Sequence, residues 1–158
     1  MAADIRIAGE DDLKAVARLW SRLDQFHRGL GFDFPHPESA EEKWIASFAR
    51  TLGRFSFLWV AEQDGAVGAF LLARVKQSPP FLGSVQVGEI SDLFVGEELR
   101  GSGTGARLVA AAMDKFTDLG VHSVEVQIQA GNQAGLDFWL KQGFDLDLTQ
   151  VRKYLGDD

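Results

Sequence analysis

Residues 95–108 read Val95-Gly96-Glu97-Glu98-Leu99-Arg100-Gly101-Ser102-Gly103-Thr104-Gly105-Ala106-Arg107-Leu108. The apolar run before them ends at Val95, and an amphipathic helical pattern begins within them. Three glycines at 101, 103 and 105 therefore sit where a strand hands over to a helix. Each glycine in a helix's opening turn costs roughly 1 kcal/mol against alanine, so three together point to a ligand rather than to a plain connection. Glycine lets the backbone approach closely and leaves the first N–H groups of the helix pointing outward. Those donors and the positive end of the helix dipole make an anion site, with Arg100 and Arg107 adding charge around it.

Working outward, Val85–Val95 reads as the strand that feeds this loop, and residues 103–119 as its helix, closed by Gly120. Upstream, Phe55–Glu62 and Ala66–Lys76 are rich in aromatic and branched residues around Asp64-Gly65, which predicts a hairpin. Residues 4–8 alternate as a first strand. Leu13, Val16, Trp20, Leu23 and His27 then fall on one helical face behind the acids Glu10, Asp11 and Asp12. Gly29–Pro37 ends that helix, and Ser39 with Glu42 forms a candidate capping box for a second one burying Trp44, Ile45, Phe48 and Leu52. Downstream, Val121–Gln129 predicts a fifth strand, Asn132 caps a helix reaching Lys141, and Gly143-Phe144 opens a final pair of short strands. The order βααβββαβαββ is an α+β protein: a mixed, largely antiparallel central sheet of six to seven strands flanked by helices. Only the passage from strand four through the long helix to strand five reads as a parallel crossover.

Composition narrows the function. The 158 residues suffice for one domain, and 46% apolar with 25% charged residues is globular. The absence of cysteine excludes disulfides, thiolate metal sites and a cysteine nucleophile. Sixteen bases against 23 acids, a net charge of −7, argues against nucleic-acid binding and leans toward a neutral or cationic acceptor. No signal-type segment opens the chain and no run approaches the ~20 apolar residues of a membrane span, so a cytoplasmic location is expected. His27, His36 and His122 share no ligand spacing, and no metal is assigned.

Two phosphate-loop patterns fail on the residues. A Walker-type loop needs Gly-Lys-Ser/Thr where Ala106-Arg107 stands. A dinucleotide fingerprint can be laid on Gly101, Gly103 and Ala106 with Glu125 beyond, but it follows its strand tightly and opens a parallel domain.

Arg100-x-x-Gly103-x-Gly105, with Leu93-Phe94-Val95 before it and Leu108-Val109 after it, resembles the acetyl-CoA pyrophosphate loop of the GCN5-related N-acetyltransferases (GNAT). A second block agrees: Asn132-Gln133-Ala134-Gly135-Leu136-Asp137-Phe138-Trp139, then Gly143-Phe144, is similar to the family's Asn-x-x-Ala-x-x-Phe-Tyr and Gly-Phe pair. The specific motifs span residues 85–150, and the element order extends the likeness to residues 1–158 as one domain. The resemblance implies an acyl-CoA N-acyltransferase fold and transfer of acetyl from acetyl-CoA to a primary amine by direct attack on the thioester. It implies that strands four and five splay, with backbone of Leu93, Phe94 and Val95 lining the pantetheine arm. Arg100, Gly101, Ser102, Gly103, Thr104 and Gly105 would cradle the pyrophosphate, and Asn132 would touch the arm or serve as an N-cap. A homodimer is also a family habit.

One position departs from the pattern. Trp139 stands where the family's usual tyrosine protonates the departing thiolate, and an indole N–H cannot deliver a proton at neutral pH. Either water protonates the thiolate, or Tyr154, the single tyrosine, reaches in, or the chain is an acyl-CoA-binding regulatory module with little turnover. For the base, Glu89 and Asp92 lie three apart, on opposite faces of a regular strand unless a bulge intervenes; Asp92 is nearer the reacting end. Gln127 holds the strand-five position where some members carry a glutamate. The loop Gly31–Pro35, with Asp33, is either an acceptor-pocket lip or a packed connection. The acceptor itself, a small-molecule or peptide amine, is left open.

Overall fold

The computed structural model describes residues 2–156. Its elements are β1 (Asp4–Ile7), α1 (Leu13–Gly29), α2 (Ala40–Ala49), β2 (Ser56–Gln63), β3 (Ala66–Gln77), β4 (Gln86–Val95), α3 (Thr104–Leu119), β5 (Ser123–Val126) and α4 (Gln133–Lys141). The strands form one mixed sheet in sequence order; the first four are antiparallel and β5 lies parallel to β4.

Alternation along the central strands divides the core in two. Phe57, Trp59 and Ala61 of β2 and Ala69, Leu71 and Ala73 of β3 face Leu108, Val109, Ala112 and Phe116 of α3 and Trp139 of α4. Leu58, Val60, Phe70, Leu72 and Phe94 face the other way, onto Val16, Leu19 and Leu23 of α1 and Phe48 of α2. Buried on both faces, β2 and β3 read as near-continuous apolar runs for that reason. The β2–β3 turn puts Asp64 and Gly65 at positive φ (53° and 78°), the primed geometry that Asp-Gly favours. Gly88 admits α3 onto β4: a Cβ there would lie 2.7 Å from the Phe116 ring.

Four expectations are corrected. The sheet has five strands among the described residues rather than six or seven, because the segment after Gly143-Phe144 joins no ladder. Its alternation is real, but Leu146 and Leu148 find nothing to pack on and are 76% and 85% exposed. The fifth strand shrinks to Ser123–Val126, since pairing with β4 stops at Ile90↔Val126. Ser39 makes no side-chain cap; at φ 59° it is left-handed, turning the chain into α2. The acids before α1 form a separate turn of 3₁₀ helix, where Asp12 accepts from the Gly9 N–H (2.7 Å) and from Arg6 (2.7 Å).

Candidate functional site

The site begins with an irregularity in β4. Asp92 pairs with Leu72 and Ile90 with Ala73, so Ser91 has no partner and forms a bulge. Two consequences follow. Glu89 and Asp92 pair with Arg74 and Leu72, two apart on β3, so the bulge brings both carboxylates to the α1/α2 face. It also coincides with the end of the β4–β5 ladder. Beyond it, residues 91–95 are paired on the β3 side alone.

The direction of the free groups can be read from the ladder. Gly96 donates its N–H to the Gly68 carbonyl (2.8 Å), and hydrogen-bonded pairs alternate along an antiparallel ladder. Phe94, in register two residues back, is therefore committed to β3, while Leu93 and Val95 turn their backbone groups to the open edge. Arg100 Nε donates to the Val95 carbonyl (3.0 Å), which confirms the direction and occupies that acceptor.

From Val95 the chain makes a 3₁₀ turn at Glu97–Leu99 and then the glycine bend. Gly101 and Gly103 lie at φ 74° and 81°, a region costly for any side chain. The first helical bond of α3 runs from Arg107 N–H to Gly103 O (3.1 Å). Among the described residues, the amides of Gly101, Gly103, Thr104, Gly105 and Ala106 therefore have no backbone acceptor. This fan of donors, at the positive end of a 16-residue helix, fits a diphosphate. The side chains around it are less available. Ser102 Oγ donates to the Leu99 carbonyl and meets Thr104 Oγ1 at 2.7 Å; Thr104 is buried. Arg100 lies over the Phe94 ring. The Arg107 guanidinium donates to the Ala3 carbonyl (2.7 Å).

Asp92 is the most perturbed carboxyl of the site. Burial pushes its pKa up to about 6, against hydrogen bonding from Ser91 (2.9 Å), the charge of Arg74 and hydrogen bonding from Trp44. Glu89 is answered by Lys76 (3.3 Å) and, more loosely, by Arg74 (3.6 Å); Lys76 also reaches Glu125 on β5 (2.9 Å), which raises its own pKa. Asn132 caps α4, its Oδ1 accepting from Gly135 N–H (2.9 Å). Trp139 is a core residue, edge-on to Phe138 and Phe144 at 5.2 and 5.1 Å. Tyr154 packs edge-on to Phe34, and its oxygen accepts from the Asp33 N–H (3.0 Å), tying the C-terminal segment to the α1–α2 loop. Gln127 contacts Gln150 (3.4 Å). Sequence reasoning missed Arg74, Lys76 and Trp44 as parts of the site; a lone cation on a strand carries no signal until the register shows what it faces.

The pattern of the acetyltransferase (GNAT) family matches residues 18–144. The chain belongs to that family. GNAT enzymes draw their acetyl group from acetyl-CoA, and this chain is accordingly an N-acetyltransferase with acetyl-CoA as co-substrate. It is similar to an L-methionine sulfoximine/L-methionine sulfone acetyltransferase of Pseudomonas aeruginosa, 25% identical over 99% of this chain and 89% of the relative. Among solved structures it resembles a tetramutant of the BH1408 protein from Bacillus halodurans, with a TM-score of 0.80, 25% identity and coverage of 96% and 99%. AAC(6')-Iy, solved with the bisubstrate analogue CoA-S-monomethyl-acetylneamine, shares the fold at a TM-score of 0.75 and 19% identity, over 99% of both chains. No helix among the described residues is long and apolar enough to cross a membrane.

Proposed function

We propose that this chain transfers acetyl from acetyl-CoA to the amine of a small molecule by direct attack, with Asp92 as proton acceptor and residues 1–158 working as one domain. One juxtaposition carries the proposal. The open edge of β4 at Leu93 and Val95 stands between the unused amides at the start of α3 and the half-buried carboxyl of Asp92.

The amides of Gly101, Gly103, Thr104, Gly105 and Ala106 would bind the diphosphate, and the Leu93 and Val95 edge would hold the pantetheine arm as an added strand. An outward N–H on that edge would stabilise the carbonyl oxygen as charge builds on it. Such a donor is worth about 2.7–4 kcal/mol where it has been removed from other enzymes. The acceptor would approach from the α1/α2 face, where Asp92 waits. An alkyl ammonium has a pKa near 10.4 and must lose a proton before it can attack. Asp92, ionised above pH 6, takes that proton. The new N–C bond forms as the C–S bond breaks, and the sulfur keeps the electron pair. The second ammonium proton neutralises the thiolate through water, which suits a leaving group of pKa about 8.5 and a site with no tyrosine at position 139. The relative's methionine sulfoximine and methionine sulfone support a small-molecule acceptor.

The test is calorimetric titration with acetyl-CoA, followed by a thiol-release assay over a panel of small amines. Binding at tens of micromolar and release of one thiol per acetylated amine are expected. A folded sample that gives no heat, or binds without turnover of any amine, overturns the proposal.

A further inference from the structure

Among the described residues, Arg74 stands out by a buried side-chain nitrogen. Its Nε is buried without a hydrogen-bond partner, and among the described residues neither Nη makes one. Glu89 lies 3.6 Å from Nε, beyond hydrogen-bond reach, and its carboxylate is already engaged by Lys76 at 3.3 Å. A buried donor without a partner is costly, so the Arg74 guanidinium suits an acceptor oxygen of a molecule that enters this face. The side chain is 37% exposed, so its head is open to a molecule entering the face.

What stands around it defines that molecule. Arg74 and Asp92 occupy adjacent strands on one face, a diagonal pair given the register Arg74↔Glu89 and Leu72↔Asp92, and such diagonals are about 7–8 Å apart. Each lies within the other's field, yet no ion pair within 4 Å joins them. A cation and an anion thus face one space without touching. Trp44 adjoins Asp92 and stacks on Trp20 (5.3 Å), giving the same space an apolar wall.

We infer that the acceptor is a free α-amino acid, its carboxylate held by the Arg74 guanidinium, its ammonium directed to Asp92, and its side chain laid against Trp44. The guanidinium fork matches a carboxylate bidentately, and an α-amino acid is short enough to bridge the two charges. Polyamines and aminoglycosides offer no carboxylate for Arg74. Peptide N-termini have an amide where the carboxylate would be. The inference rests on the acetyl-transfer reading above and names its substrate class; Arg74 is a binding residue, and the chemistry stays with Asp92.

The experiment supplies the twenty standard L-amino acids singly with acetyl-CoA. Each substrate found is then compared with its decarboxylated amine. We expect at least one amino acid to exceed its amine about 100-fold in kcat/KM. Arg74→Ala should bring that ratio toward one, mainly through KM, while acetyl-CoA affinity measured by calorimetry is retained. Arg74→Lys should restore part of the ratio. Amines that match or outrun their amino acids overturn the inference but leave acetyl transfer standing, as does a ratio unchanged in Arg74→Ala. If no compound turns over, the coenzyme-loaded protein is titrated with the same amino acids. Heat that disappears in Arg74→Ala upholds the carboxylate site although the transfer reading fails, and no heat from any of them overturns it.

Discussion

Asp92 illustrates how far one residue's behaviour depends on its surroundings. Its carboxyl is unremarkable in the sequence, yet burial lifts its pKa from 3.8 to about 6, against the hydrogen bonds from Ser91 and Trp44. Between those values the native chain holds a proton that the unfolded chain has released. Stability therefore falls as pH rises through that window and stays lower above it. Asp92→Asn removes the penalty. It should melt higher than the parent at pH 8, by about 1–2 kcal/mol given that part of the carboxyl still meets water, with the gain vanishing below about pH 4. The same variant should lose about 100-fold in kcat and flatten the rise of kcat/KM with pH near 6, while acetyl-CoA binds as before. Thermal melts at pH 4 and 8 with a pH–rate profile check both halves. Trp139 makes the opposite case. Restoring the family's tyrosine there would place a hydroxyl among Phe138 and Phe144 with no partner in sight. Trp139→Tyr is expected to cost about 1–3 kcal/mol of stability and to bring no gain in turnover, measured by denaturant melts and steady-state rates.

Among the elements, the start of α3 was the most legible. Three glycines between a strand and a helix have a physical reason at each step, and the left-handed φ at 101 and 103 matches it. Gly103→Glu should abolish acetyl-CoA binding, since the side chain adds strain and negative charge among the unused amides. Calorimetry checks the binding, and circular dichroism the retained fold. The carboxylates of β4 were half legible. Glu89 and Asp92 stood out by residue type, but period-two alternation sends them to opposite faces. The bulge at Ser91 reverses that, and a bulge is set by cross-strand register rather than by its own residues. The last strands show the converse failure: Asp145-Leu146-Asp147-Leu148 alternates well, yet alternation cannot supply a neighbouring strand.

Across the whole molecule, the C-terminal segment and the α1–α2 loop are tied together. Asp33 N–H donates to Tyr154 Oη, Phe34 stacks on Phe32 at 4.9 Å, and Arg152 lies over Phe34. Arg28 holds the same loop through the Phe34 and Pro35 carbonyls. These contacts suit a positioning role for Tyr154. Tyr154→Phe should raise the acceptor KM several-fold and leave kcat and acetyl-CoA affinity unchanged; a loss of kcat approaching 100-fold would instead make the phenol the acid.

Helices, the Asp64-Gly65 turn, the glycine bend and the two motif blocks were all available from residue order, because propensity, turn chemistry and the 3.6 and 2.0 periods act between near neighbours in the chain. The bulge at Ser91, the turning of Phe94 toward β3, and the meeting of charges at Arg74, Glu89 and Asp92 came from tertiary structure alone. Those properties belong to pairs of residues distant in sequence, and one slipped position in register would redirect every side chain involved.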